Sequence, residues 1–367
     1  MTMRIAIHPR KGSFSDRWME YCGGHGIPCE VVSAYDSGVI RRLASFDAFL
    51  WHFAHGCARD LLMARHVIRA AEIIGLEVFP NTATCWHFDD KVAQKYLLEA
   101  VGAPLVPTYV FYDPDSALDW IGRTSFPKVF KLRRGAGSRN VRLVRTAGEA
   151  SRLARKAFGA GFKPLGDYFG DVPTKARKAR RRGDVWATLK RLPRSLLNMY
   201  HANFQIGRER GYVYFQDFVP GNRFDTRVTV IGRRAFGFTR NVRPNDFRAS
   251  GSGSIEYDTG RVDLRCLRIA FEVAGKIGAQ STAFDFVAGE SGGPRITEIS
   301  YGYQAKAVYD CAGHWDPALA WVDGHIWPED AILEDMMAAV CSLPTAAAGA
   351  AGETAENARP SCGAKPQ

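Results

Sequence analysis

Residues 283–300 read AFDFVAGESGGPRITEIS. The β-rich run Ala283 to Val287 and the returning run Arg295 to Ile299 flank a glycine-rich turn, Gly289 to Gly293, which is the pattern of a hairpin. Each arm carries one acid, Asp285 and Glu298. Cross-strand neighbours on one face hold their side chains a few ångströms apart, and a shared cation is the usual reason to tolerate two carboxylates there. Ile299 and Ser300 follow Glu298, so a serine hydroxyl is the next oxygen along the strand.

Outward from the hairpin, a helix is expected over Leu264 to Gly278, and two strands, Tyr212 to Val219 and Arg227 to Ile231, flank Pro220-Gly221. Further upstream the strands Thr108 to Tyr112, Lys128 to Leu132 and Val141 to Val144 are separated by Pro127 and by the run Arg133 to Asn140. Alternation sends Lys128 and Lys131 to opposite faces of their strand, so only one of them meets a ligand. Gly135, Gly137 and Ser138 would let backbone amides approach phosphate oxygens unobstructed. The first hundred residues alternate strands (Met3 to His8, Cys29 to Ser33, Ala48 to Phe53, Val78-Phe79) with helices (Asp16 to Gly23, Asp60 to Gly75, Asp89 to Ala100), the grammar of a parallel α/β layer.

The 367 residues, 46% apolar and 24% charged, have the composition of a folded globular chain and exclude collagen, coiled coil and bulk disorder. No run approaches the ~20 apolar residues that span a bilayer, and neither a signal peptide nor a membrane anchor is expected. Eight scattered cysteines without a Cys-x-x-Cys fit reduced thiols in a cytoplasm. His52-x-x-His55-x-Cys57 has metal-ligand residue types but no matching second pair, so loop histidines are the better reading than zinc. Of the net charge of +11, residues 175–194 carry +8, nine bases against Asp184 alone. That segment, interleaved with Trp186 and leucines, is expected to be a basic insertion over about 155–205, either solvated or docking an anionic membrane face, an acidic polymer or RNA. Beyond Thr345 the composition falls to Ala, Gly, Pro, Glu and Ser, so 343–367 reads as a disordered tail.

Four patches in order, from about Asn81 to Tyr303, resemble the ATP-grasp superfamily and within it the carboxylate–amine ligases that include glutathione synthetase and the ribosomal-protein glutamate ligase. They are NTATCWHFDDKVAQK at 81–95, FPKVFKLRRGAGSRNV at 126–141, VYFQDFVPGNRFDTR at 213–227, and Arg240, Asn245 to Arg248, Asp285 and Glu298 to Ser300. The resemblance implies an α/β and α+β chain with a Rossmann-like domain over 1–105. It also implies a nucleotide-binding subdomain over 106–220 and a metal-bearing subdomain over 221–342, the two clasping ATP. It places Lys91 (with Lys95 a second candidate), Lys131 and the Gly135, Gly137, Ser138 loop on the phosphates. Gln216, Asp217, Phe218 and Val219 fall at the adenine and ribose, and Asp225, in a recurring Asp-x-Arg with Arg227 that begins the last domain, is also placed among the nucleotide-binding residues. Arg240 and Arg248 fall on the transferred phosphoryl group, and Asp285, Glu298 and Ser300 on Mg²⁺, with Mn²⁺ as a substitute. Ser300 stands where the family has asparagine, which implies a weakened second metal site.

The implied reaction is ATP-dependent joining of a small-molecule carboxylate and an amine through an acyl phosphate, releasing ADP and phosphate. Glu298 to Tyr301 with Gly313-x-Trp315-Asp316 is similar to relatives that build or decorate surface polysaccharides, which would put Tyr301, Tyr303, His314 and Trp315 near the metal. Many relatives self-associate, so a homo-oligomer is also implied. The alternatives are a small-molecule kinase on the same scaffold and a non-catalytic RNA- or membrane-binding protein with a vestigial nucleotide site.

Overall fold

A computed structural model describes residues 3–135, 140–163, 207–243, 246–249, 251, 253–289 and 292–342. Gly137 and Ser138, Asn245, the basic segment 175–194 and the tail 343–367 lie outside the described residues.

The first layer is a parallel sheet. Its strands are β1 (Ile5–Ile7), β2 (Cys29–Val31), β3 (Ala48–Leu50) and β4 (Glu77–Phe79), in the spatial order β2-β1-β3-β4. β1 and β3 are buried at every residue, as expected of parallel strands covered on both faces. Helices α1 (Phe14–His25), α2 (Val39–Leu43) and α3 (Ala58–Ile73) connect the strands. Ser13 caps α1 by accepting from the Ser15 amide, and Phe14, Trp18 and Cys22 recur at one-turn spacing on its buried face. A short α4 (Thr82–Cys85) and then α5 (Lys91–Ala100) leave this layer.

The second layer is an antiparallel sheet of β5 (Thr108–Phe111), β6 (Lys128–Lys131), β7 (Val141–Val144) and β8 (Val213–Asp217), ordered β5-β8-β6-β7. Helices α6 (Pro114–Arg123) and α7 (Ala147–Phe158) bury Ala117, Ile121, Leu153 and Ala157 against Phe130, Val144, Val213 and Phe215 on one face. Residues 155–158, expected to open the basic insertion, complete α7, and Phe162 bridges to Glu209 where the chain returns.

The third sheet contains β9 (Phe224–Ile231), β10 (Arg234–Asn241), β11 (Ile255–Glu256), β12 (Ser281–Ala288), β13 (Pro294–Ser300), β14 (Gly313–Trp315) and β15 (Trp321–Asp323), ordered β13-β12-β9-β10-β14-β15 with β11 on β10. Helix α8 (Leu264–Ile277) packs on one face through Leu267, Ala270, Val273 and Ala274 against Val228, Val230, Phe284 and Ile299. After the short α9 (Ala305–Tyr309), α10 (Pro328–Ser342) lies between the third sheet and the first layer. Arg234 on β10 pairs with Asp335 at 2.8 Å, and Ile332, Leu333 and Met336 close the first layer in the same core as Trp18 and Phe79. The Trp18 indole N–H donates to the Glu329 carbonyl at 3.0 Å, and Arg17 forks onto Asp330 at 2.7 and 2.8 Å.

The second and third sheets are joined where the site forms. Val106 N–H donates to the Ile296 carbonyl and Ile296 N–H to the Pro104 carbonyl, a parallel bridge that sets β8 and β6 beside β13.

Candidate functional site

A cleft of about 890 Å³, counted to its open mouth, lies between the second and third sheets. Its apolar walls include Val106, Val129, Val141 and Val287, and its polar groups come from β6, β8 and the third sheet. Lys131 enters from β6 while Lys128, on the opposite face, pairs with Asp217 at 2.5 Å beside the Trp120 ring. The Lys131 ammonium is buried and donates to the Gln216 amide oxygen at 2.6 Å and the Thr297 carbonyl at 3.4 Å. Burial pushes its pKa down to about 8 against the pull of Glu298. Among the described residues no carboxylate is within ion-pair distance of it, and its hydrogen bonds go to neutral oxygens. Gln216 is itself oriented by donating to Thr108 Oγ1 at 3.0 Å. Asp217, Phe218, Val219 and Asp225 line the same cleft, together with Arg248, which forks onto Asp246, and Phe247, whose ring meets Phe218 edge-on at 5.7 Å.

Five charged side chains crowd the face of the third sheet opposite α8, and strand register explains why they meet. Asp285 is the register partner of Glu298 on β13 and of Arg227 on β9, and Arg240 on β10 is the partner of Asp225. A bulge after Asp285 re-aims the strand at this point. The Arg227 guanidinium forks onto Asp285 at 2.7 and 2.8 Å, and Arg240 spans Asp225 at 2.7 Å and Asp285 at 2.9 Å. Burial alone would raise Asp285, but the two guanidinium groups hold it well below the usual carboxylate range. For Asp225 burial wins over Arg240 and the pKa rises.

Lys91 completes the set from the start of α5, which Asp90 caps through the Ala93 amide. Its ammonium donates to the Gly135 carbonyl at 2.7 Å and pairs with Glu298 at 3.0 Å. Gly135, at φ 118°, takes a backbone conformation that a side chain would strain, and its amide donates to Asp89. Lys95 is elsewhere, paired with Glu99 one turn on at 2.5 Å.

Asp285 and Glu298 also line a second, larger cavity of about 1660 Å³ counted to its mouth. Its other walls are Arg227, Arg240, Ser300 and Tyr303 and, from the first layer, Arg10 and the stretch His52 to His55. Ser300 faces this cavity and not the cleft, and its hydroxyl is engaged with the Gly302 backbone. Of the aromatics expected near a metal, Tyr303 lines the cavity. Tyr301 is core, donating to the Phe53 carbonyl, and Trp315 packs beneath α8. Arg10 has no local motif, and the His52-x-x-His55-x-Cys57 pattern reads only as loop histidines. The signal that finds them is topological: they follow β1 and β3, the two strands between which the order of the parallel sheet reverses, where ligands bind in open α/β sheets. Among the described residues no three or more His, Cys, Asp or Glu side chains are arranged to hold a metal ion, so a cation held by Asp285 and Glu298 would need its remaining ligands from elsewhere.

No protein-family model and no curated protein matches the chain. Solved structures do. D-cycloserine synthetase DcsG superposes with a TM-score of 0.53 over 91% of this chain and 99% of its own, at 16% identity. D-alanine–D-alanine ligase from Bacillus anthracis, solved with ATP, gives 0.53 over 93% and 99%, at 12% identity. The chain has the ATP-grasp fold. The ATP-grasp ligase PsnB, solved with a precursor peptide and AMPPNP, superposes at 0.51 over 92% and 99%, at 14% identity. At such identities the likeness is one of architecture, and the ATP-grasp arrangement of two sheets around a cleft, preceded by a parallel layer, is the one expected from the four sequence patches. No helix among the described residues is long and apolar enough to cross a membrane.

Proposed function

We propose that the protein is an ATP-dependent carboxylate–amine ligase that forms an amide through an acyl phosphate. The observation that carries this reading is that Asp285 and Glu298 stand in the wall common to two cavities, one of which holds a buried lysine with no ion-pair partner among the described residues. A phosphate donor in the cleft and a carboxylate in the larger cavity would then meet across the same two acids.

In this reading the edge of β8 at Gln216 to Val219 receives adenine, and Lys131, Lys91 and the Gly135 backbone receive the phosphates. Magnesium would be held by Asp285 and Glu298, two hard oxygen donors in strand register, in exchange for part of the Arg227, Arg240 and Lys91 pairing they have here and with the rest of its shell from phosphate and water. Bound there, it would neutralise phosphate charge and align the phosphoryl group. Ser300 faces the substrate side and would reach such an ion only through water. Arg248 on the cleft side and Arg240 on the cavity side flank the position between nucleotide and acceptor, suited to stabilising the transferred phosphoryl and the acyl phosphate. A carboxylate oxygen attacks the γ-phosphorus and ADP leaves; the amine nitrogen then attacks the acyl carbon, phosphate leaves, and the nitrogen loses a proton. The side chains supply position and charge, without a covalent enzyme intermediate.

The test is hydroxamate formation with Mg-ATP, hydroxylamine and a panel of amino acids, uronic acids and short peptides. ADP release with hydroxamate, lost in Lys131→Ala, supports the ligase. ADP release without hydroxamate means a kinase, and failure to bind Mg-ATP means a vestigial site. The uronic acids also test the surface-polysaccharide role, which a response confined to amino acids and peptides would sink.

A further inference from the structure

The larger cavity holds three arginines, and they are not equivalent. Arg227 and Arg240 are neutralised by Asp225 and Asp285. Arg10 is held by neutral groups: its Nε and Nη2 donate to the His52 carbonyl at 3.3 and 3.0 Å, and Nη2 lies 3.4 Å from His52 Nδ1. Its Nη1 has no partner among the described residues. The His52 ring is itself fixed, stacked on Phe14 at 3.8 Å and accepting the Phe14 amide at Nδ1, which leaves the hydrogen on Nε2. Burial and the neighbouring Arg10 charge keep this imidazole neutral, with a pKa near 3. A guanidinium fixed in direction by neutral acceptors, at the switch point of a parallel sheet, is prepared for an anion. The acids of this cavity, Asp285 and Glu298, belong to the wall it shares with the cleft, which Arg10 does not line.

We infer that Arg10 docks a second, non-reacting anionic group on the substrate whose carboxyl is activated, so that this substrate is at least a dianion. The inference rests on the ligase reading and deepens it: the reacting carboxyl lies at the Arg240 end, and a second carboxylate or a phosphate is gripped by the loops that follow β1 and β3.

The experiment uses the full chain with Mg-ATP and hydroxylamine, and the dicarboxylates from succinate to pimelate against their monomethyl esters, with the matching phosphonocarboxylates as a further arm. Arg10→Gln and Arg10→Lys are compared with wild type, and calorimetry with Mg-AMPPNP reads substrate binding without turnover. Wild type should prefer the dianion over its ester by roughly ten- to a hundred-fold in KM, the worth of one charged hydrogen-bonded pair. Arg10→Gln should erase that preference at unchanged Mg-AMPPNP affinity, and Arg10→Lys should restore part of it. A stronger response to the phosphonates than to the dicarboxylates identifies the second anion as phosphate-like. A preference that persists in Arg10→Gln, or no preference in wild type by either readout, overturns the inference. Arg10-dependent binding of the dianion without any hydroxamate would instead sink the ligase reading and leave the anion site standing.

Discussion

Replacing Lys131 by methionine should make the protein more stable and less able to hold a nucleotide. The ammonium is buried with neutral acceptors, and its pKa falls from 10.5 to about 8. At 1.36 kcal/mol per tenfold change, that depression corresponds to a cost of about 3.4 kcal/mol at neutral pH. Methionine removes this cost but strands the Gln216 oxygen, a loss of about 1–2 kcal/mol. The expected net gain is about 1–2 kcal/mol at pH 7. The sign of the pH dependence follows from proton counting. Between pH 8 and 10.5 the unfolded lysine keeps a proton that the folded one has released, so wild-type stability rises with pH through that window and the variant's does not. From pH 7 to pH 9 wild type should recover about 1.4 kcal/mol relative to Lys131→Met. Denaturant unfolding at the two pH values measures this, and calorimetric titration with Mg-AMPPNP should show affinity weakened by about ten- to a hundred-fold. A variant less stable than wild type by the same margin at both pH values, or one with undiminished nucleotide affinity, would refute the assignment of Lys131 as a cation held in reserve for phosphate.

Arg248→Ala should leave Mg-ATP affinity nearly intact and lower turnover by about 10²-fold or more, the usual effect of losing one donor to a developing anion; unchanged turnover in the hydroxamate assay removes that role. Glu329 is buried with one carboxylate oxygen lacking a partner among the described residues, and burial raises its pKa to about 7 from 4.5. The folded state holds this proton more tightly than the unfolded chain, so stability falls as pH rises from 4.5 to 7. Glu329→Gln should stabilise the protein by about 1–3 kcal/mol at pH 8 and far less at pH 5, read from denaturation midpoints. A Cβ on Gly237 would lie 3.0 Å from Val262 and 3.1 Å from Trp315. Gly237→Ala should therefore cost about 1–3 kcal/mol by overpacking, and an unchanged melting temperature would show that the indole moves aside.

The parts of the site carried by local pattern were legible in the sequence. The turn glycines and alternation of 283–300 place Asp285 opposite Glu298, and the same alternation separates Lys131 from Lys128. What could not be read was made by tertiary contact. Arg10 and His52 lie in loops whose residues have no periodicity, and they belong to the cavity only because the parallel layer abuts β10 and β13. Lys95 carries the residue type for phosphate binding, but Glu99 one turn along the helix captures it. The start of α6 was not among the expected elements, and in the structure the side chain of Asp113 caps it by accepting the Ser116 amide, with Pro114 in the first turn. The return of α10 to the first layer depends on Trp18 and Arg17, more than three hundred residues earlier, and no local signal announces it.

Among the described residues two cations of the site, Lys131 and Arg10, form no ion pair with an acid, and the balance of the other charges bears on why. Arg227, Arg240 and Lys91 are balanced by Asp225, Asp285 and Glu298, a network that neutralises itself and fixes the geometry of the shared wall. Burying a further cation against neutral oxygens, as at Lys131, lowers stability. Lys131 on one side of the wall and Arg10 on the other are those further cations, each aimed by amide or carbonyl oxygens that an arriving anion does not have to displace. A protein that only needed to fold would do better with an uncharged side chain at position 131. Keeping both is intelligible when each cavity takes an anion and the reacting groups of the two meet at Asp285 and Glu298.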